Sequence, residues 1–260
     1  MDESQYRQLY NELRSIEDVE RLHATIGIDK ELLLVIHTQR ASRVSTRKYY
    51  VIKNQIQKIR RNWNNGMTIT QIAKMYEFSP VLMAMFVLLS DGISRKEFWR
   101  IVRGERKTTR RIMCEIEEAC KNDVAYSPWG LEVQRKRGQW GEELLNTWLD
   151  NYHLEYQVER DLRGKFKKTP DCLLAKPLKL NGEEIMWIES KANFGDGVEF
   201  NRNMRKQVIP YTEMFGRGII VYWFGFVDGL RPPDGVHLVS KEFFDNAVID
   251  DGHIVCRSKG

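Results

Sequence analysis

Asn181-Gly182 is a two-residue hairpin signal set between runs that read as strands, and it restricts the fold more than any other feature of the chain. An Asn-Gly pair tolerates positive φ at both turn positions, so it closes two antiparallel strands and pins their register. Here it joins a strand over 171–174 to a returning strand over 184–192. Side chains two apart on a strand share a face, so Glu189 and Lys191 point together while Ser190 turns away. If Asp171 opens the neighbouring strand, the hairpin brings Asp171, Glu189 and Lys191 to one place. Two carboxylates at one point make a hard-oxygen site suited to Mg2+ or Mn2+. A lysine beside them can orient a water or offset charge developing on a phosphate oxygen.

Around this hairpin the pattern of residues 126–260 predicts a mixed sheet with helices on both faces. A helix is expected over 138–149, a strand over 156–162, a basic turn over 164–168, and a helix over 198–215 interrupted at Pro210. A buried strand over 219–227, a last strand near 236–239 and a short helix near 241–247 follow. Gly138-x-x-x-Glu142 opens the first helix and can add Glu142 as a third carboxylate to the metal. Gln207-x-x-x-Tyr211 puts a glutamine and a tyrosine on one helix face. Gln207 can bond a phosphate or orient the ligands, and Tyr211 can stack on nucleic acid or bond a strand.

Residues 1–125 read differently, as helices almost throughout. Two short helix-turn-helix patterns are expected, at 16–36 and 69–87, the second turning at Glu77-Phe78-Ser79-Pro80 with Ser79 as N-cap and Pro80 at the first helical position. Between them a long helical segment over 40–63 carries an apolar stripe of Ile52, Ile56, Ile59 and Trp63. Arg40, Arg43, Arg47, Lys58 and Arg61 fall on the opposite face. Charge separates the halves: residues 1–125 hold 22 Lys+Arg against 16 Asp+Glu, whereas 126–260 hold 19 against 20. No acidic residue lies between Glu31 and Glu77, where nine basic ones occur. That asymmetry points to a polyanion partner, nucleic acid above all. The segment 122–131, with Ser-Pro and Trp-Gly breakers, is expected to connect the two domains, 1–125 and 126–260.

No apolar run approaches a membrane span, and the polar, acidic start MDESQYRQLY predicts no secretory signal and an intracellular setting. The four cysteines lack paired spacing, which predicts buried reduced thiols rather than zinc or disulfides. A homodimer would suit cutting of both strands of a duplex.

The chain order Asp171, Glu189-x-Lys191, Gln207-x-x-x-Tyr211 resembles the PD-(D/E)xK superfamily with its restriction-endonuclease-like fold, and the last motif resembles that of its RecB-like branches. Lys168-Thr169-Pro170-Asp171, Trp187-Ile188-Glu189-Ser190-Lys191-Ala192, Phe194-Gly195-Asp196 and Tyr222-Trp223-Phe224-Gly225-Phe226 are similar to the codanin-interacting nuclease family, whose hallmark is a Thr-Pro-Asp motif. The likeness is specific over 138–227 and weaker over 1–125. It implies N-terminal helix-turn-helix units joined to a C-terminal divalent-metal nuclease. It further implies cleavage leaving 5′-phosphate and 3′-hydroxyl ends. The rival expectation is a nucleic-acid-binding or transcription-regulatory protein in which the nuclease fold is inert.

Overall fold

A computed structural model describes residues 1–256. The described residues form two compact units, one of residues 8–135 and one of residues 1–7 together with residues 136–256. Eight helices begin the chain: Glu3–Glu12 (α1), Ile16–Ile26 (α2), Lys30–Asn54 (α3), Ile56–Asn64 (α4), Ile69–Tyr76 (α5), Pro80–Ser90 (α6), Arg95–Val102 (α7) and Arg110–Lys121 (α8). Their starts are set by short polar side chains. Ser15, Thr68 and Ser94 each form a reciprocal capping box with Asp18, Gln71 and Glu97 three residues on. The segment expected as one helix over 40–63 is two, because the chain breaks at Gln55 between α3 and α4.

α5 and α6 meet at 115°, joined by Glu77-Phe78-Ser79, an angle within the helix-turn-helix range. α6 is nevertheless the hub of this unit. Every residue from Val81 to Leu88 is buried, with α4, α5, α7 and α8 packed around it. A helix that reads bases must leave one face open to a groove, so α6 is a core helix and not a base reader. Its first turn is secured by buried Asp123, which accepts from the Ser79 hydroxyl, the Val81 N–H (3.1 Å) and the N–H groups of Ala125 (2.9 Å) and Tyr126 (2.8 Å).

Buried His37, on α3, makes this unit sensitive to acid. Burial holds its imidazole below the ordinary histidine range, Arg40 acts in the same direction, and the bond to the Leu13 carbonyl (3.1 Å), Asp18 and Asp123 act against it. A carbonyl only accepts, so Nδ1 carries the proton and donates. The folded state therefore binds a second ring proton more weakly than the unfolded state. The stability that follows is complete above the unfolded value near 6.5 and is lost as pH falls below it. Thermal unfolding between pH 5 and 8 is expected to show a decline below 6.5 that His37→Gln flattens; equal slopes in the two proteins would exclude the assignment.

The second half contains Pro128–Asn151 (α9), Tyr156–Val158 (β1), Glu159–Leu162 (α10), Cys172–Leu180 (β2), Glu183–Lys191 (β3), Gly197–Asn203 (α11), a π-helical turn at Met204–Val208, Ile209–Phe215 (α12), Gly218–Tyr222 (β4), Val236–Ser240 (β5), Lys241–Asn246 (α13), Ala247–Asp250 (β6) and His253–Cys256 (β7). The fold class is α/β, with a mixed sheet ordered β5-β4-β3-β2-β7-β6 and β1 paired to β2. Neighbours β3, β4 and β5 are parallel, while β2 and β3 form the antiparallel hairpin. Asn181 (φ 52°) and Gly182 (φ 85°) both sit in the left-handed region that such a turn needs. The register shifts between Leu173 and Leu178, where Pro177, lacking an N–H, falls in the irregular stretch.

The sheet buries both faces. Ile219 and Val221 of β4 pack with Leu145 and Leu149 of α9 and Phe244 of α13. Their alternates Ile220 and Tyr222 pack with Phe200 of α11, Val208 of the π turn and Tyr211 of α12. Several elements differ from their sequence expectation for local reasons. The strand expected over 156–162 ends at Val158, whose N–H bonds the Asp161 carboxylate (3.2 Å) and starts α10. The strand expected over 219–227 ends at Tyr222, and Gly225 at φ 81° turns the chain. The residues expected to connect the domains partly belong to α9, which begins at Pro128. The hairpin β6–β7 is additional. All four cysteines are free, but only Cys172 is buried; Cys114 and Cys256 are exposed. Among the described residues no single helix is long and apolar enough to cross a membrane.

Candidate active site

Asp171 ends the Thr-Pro-Asp turn immediately before β2, and Glu189 and Lys191 lie near the end of β3. The pairing Cys172↔Ile188 and Leu173↔Trp187 brings Asp171 opposite Glu189. Each acid accepts a backbone N–H from the other's segment. Asp171 N–H donates to Glu189 Oε2 (3.2 Å), and Ser190 N–H donates to Asp171 Oδ2 (2.7 Å). Glu189 Oε1 accepts from Gln207 Nε2 (2.8 Å) and from the Lys191 ammonium. Gln207 lies against the Tyr211 hydroxyl (3.5 Å), which donates to the Thr169 carbonyl (2.8 Å) and so fixes the turn that presents Asp171. The hydrogen bonds close a ring from Glu189 through Gln207, Tyr211 and the Thr-Pro-Asp turn back to Asp171. The π turn is what delivers Gln207 to it, and such turns are frequent at functional sites.

Ser190 faces the other side of the sheet, as its alternation requires. Its hydroxyl accepts from the Trp223 indole N–H (2.7 Å) beneath α9. A Cβ on Gly141 would stand 2.7 Å from the Trp223 ring and 3.0 Å from Ser190 Oγ, so only glycine lets α9 approach here. Gly138 meets no such limit. The approach carries Glu142 to the rim of an open cleft of about 760 Å3 that Asp171, Asn146, Tyr156 and Glu159 also line.

The electrostatics follow from burial. Glu189 is 1% exposed. Burial pushes its carboxyl up to about 7, with Lys191 opposing and Asp171 reinforcing. Asp171 is raised by burial against the pull of Lys191 and the Ser190 N–H. Burial alone would lower the Lys191 ammonium, but the two carboxylates outweigh it and hold it above the ordinary lysine range, hence charged. Glu142 is raised by partial burial and by Asp171 and Glu159. One ammonium therefore faces a buried and a half-buried carboxyl, and the second negative charge lacks an offset. That oxygen-only donor pair fits a divalent cation. Among the described residues no group of three or more His, Cys, Asp and Glu is arranged to hold a metal; Asp171 and Glu189 face each other across the hairpin, and Glu142 lines the cleft beside Asp171.

Other expected site residues fall elsewhere. Tyr211 is 2% exposed with its ring edge-on to Trp187 (5.5 Å), so it cannot stack on nucleic acid and instead supports the turn. Arg40 is engaged inside its own unit, pairing with Glu77 (2.7 Å) and lying over the Tyr10 ring (5.8 Å). Half-buried Arg43 lies over the same ring (5.9 Å). These two are thus corrected from phosphate contacts to packing cations, while Arg47, Lys58 and Arg61 are exposed. Sequence reasoning missed Ser190, whose N–H clamps Asp171, and Gly141. A glycine inside a helix beside Trp140 and Glu142 was the usable signal for the latter.

Residues 108–243 match the family model described as "Protein of unknown function TPD sequence-motif". CDAN1-interacting nuclease 1 of Homo sapiens is 35% identical over 171 residues, covering 62% of this chain and 61% of the relative. The Danio rerio protein of that name is 30% identical over 171 residues, covering 62% and 57%, and the Xenopus tropicalis protein 28% over 204 residues, covering 73% and 66%. The chain thus spans about three fifths of the length of these curated relatives. No solved structure matches. With its Thr169-Pro170-Asp171 turn inside the matched region, which covers more than half of the sequence, the chain belongs to the TPD-motif family, that of the codanin-interacting nucleases.

Proposed function

We propose that the C-terminal unit is a divalent-metal-dependent nuclease of the PD-(D/E)xK type that hydrolyses phosphodiester bonds in DNA. The observation that carries this reading is the set of buried Glu189 with half-buried Asp171 and Lys191, two carboxyls against one ammonium. The names of the relatives support it. Asp171 and Glu189 would hold Mg2+ or Mn2+, with Glu142 assisting from the rim. Such an ion, when bound, makes water more acidic and stabilises charge on the phosphate.

The side chains have separate tasks. Lys191, kept charged by its neighbours, donates to a phosphate oxygen or to the attacking water; it is a poor base for the same reason. Gln207 donates to Glu189 and holds that carboxylate in place, the second of the two tasks expected from sequence, orienting a ligand rather than bonding a phosphate. Asp171 is oriented by the Ser190 N–H and by the turn that Tyr211 anchors.

The test is a panel of labelled single-stranded, duplex, flap and junction DNA incubated with Mg2+, with Mn2+ and with a chelator. Cleavage is expected with either ion, leaving 5′-phosphates, and none with chelator or in Asp171→Ala. Cleavage that survives both chelation and Asp171→Ala overturns the reading. Binding without any cleavage would replace it with the inert-fold alternative.

A further inference from the structure

The loop that leads into the Thr-Pro-Asp turn carries positive charges that no ion pair among the described residues neutralises. Several cations of this unit are matched. Arg163 pairs with Glu159 (3.0 Å), Arg217 with Glu183 (3.5 Å), Lys241 with Asp245 (2.8 Å), and Arg202 with Glu199. Lys165, Lys167 and Lys168 are exposed and make no ion pair among the described residues, and the same holds for Lys206 beside Gln207.

The loop is laid in a defined place. Gly164 (φ 85°) turns it, and Phe166 packs edge-on against Phe215 at 4.9 Å. Three residues on, the Thr169 carbonyl is tied to Tyr211, and two further on Asp171 meets Glu189 and its partner Gln207. Thus as the chain runs from 166 to 171 it passes Phe215, Tyr211 and Gln207 in turn. Lys167 and Lys168 lie between two anchors, and Lys206 adjoins the end of the row. From Lys165 to Asp171 the backbone spans at most about 20 Å.

We infer that Lys165, Lys167, Lys168 and Lys206 form a track that seats the phosphate backbone of the strand to be cut and leads it to Asp171 and Glu189. This rests on the nuclease reading and adds its substrate contacts. Lysines are hydrated point charges on flexible stems, so they attract phosphates without reading bases. Phe166, 42% exposed among them, offers an aromatic surface to an unpaired base. The track supplies the positive potential that an acidic metal site needs before a polyanion can approach.

The experiment measures binding of a fluorescent 20-nucleotide DNA strand to the full chain across a salt series. Every protein compared carries Glu189→Gln so that nothing is cut. Replacing all four lysines with alanine is expected to reduce the slope of log affinity against log salt by about 3, at roughly 0.7 for each phosphate no longer neutralised. Lys176→Ala with Lys179→Ala, exposed lysines on β2, is the control for net charge alone. An equal slope change per lysine removed in the track and control variants, or no slope change in the track variant, overturns the track. Cleavage by the protein with intact Glu189 judges the nuclease reading separately. A track-specific loss of binding beside an absence of cleavage keeps the surface and removes the enzyme.

Discussion

Glu189→Gln is expected to lower the rate of DNA cleavage by at least about 10³-fold while leaving the protein folded. The two parts of that result come from different physics. Glutamine has the shape of glutamate, so β3 and its pairing with Gly218–Tyr222 are undisturbed. Folding gains from losing a buried charge, because burial and Asp171 both work against ionised Glu189. It loses one acceptor, because the new amide group must face either the Asp171 N–H or the Gln207 and Lys191 donors. These terms oppose each other, and a midpoint of thermal unfolding within a few degrees of wild type is expected. Function has no such compensation. A neutral amide is a far weaker ligand than a carboxylate for a hard divalent ion, so Mn2+ affinity by calorimetry should fall together with the rate. The site assignment fails if cleavage persists near the wild-type rate, or if the rate falls only because the variant has unfolded.

Glu189, Asp171 and Lys191 are legible as a group in the sequence because a strand's period of two and an Asn-Gly turn are local rules with long-range consequences. The turn at Asn181-Gly182 makes β2 and β3 antiparallel neighbours, but its register, Leu180↔Glu183, would set Asp171 opposite Ala192; the shift between Leu173 and Leu178, which the sequence does not announce, brings Asp171 opposite Glu189. Gln207 is legible as a member of the site, but the choice between its two tasks is not, since helix periodicity says which residues share a face and not what they touch. Tyr211 is misread from sequence for that reason: an amphipathic tyrosine suits a base or a backbone carbonyl equally well, and only the packing of Trp187 against it shows that no base can reach it. In the N-terminal unit the acid-free stretch between Glu31 and Glu77 suggests free charge, yet Glu77 itself reaches back to Arg40 and Lys48. A segment free of acids is not a surface free of acids. Likewise the turn between α5 and α6 is readable from Ser79-Pro80, whereas the enclosure of α6 depends on four helices packed around it, some distant in sequence.

Trp187→Ala should destabilise the C-terminal unit by about 4 kcal/mol, the range for removing a fully buried tryptophan. Trp187 is 0% exposed, stands opposite Leu173 of β2 and beside Gly218 of β4, and donates its indole N–H to the Gly216 carbonyl at 2.8 Å. Its ring also supports Tyr211, the residue that fixes the Thr-Pro-Asp turn. Alanine removes all of this packing and leaves the Gly216 carbonyl without its donor. Against a total of roughly 5–15 kcal/mol for a domain, such a loss lowers the unfolding midpoint by roughly 10 °C. The same packing can be attacked from the other strand. A Cβ on Gly218 would stand 2.1–2.6 Å from the Trp187 ring, too close for any real pair of atoms, so Gly218→Ala must displace either the ring or β4. The two substitutions together should cost less than the sum of their separate effects, because removing the ring removes the clash. Chemical unfolding of the two single variants and the double variant measures that coupling. Strictly additive losses would mean that the indole does not fill the space above Gly218, and the support it lends to Tyr211 and the turn would fall with it.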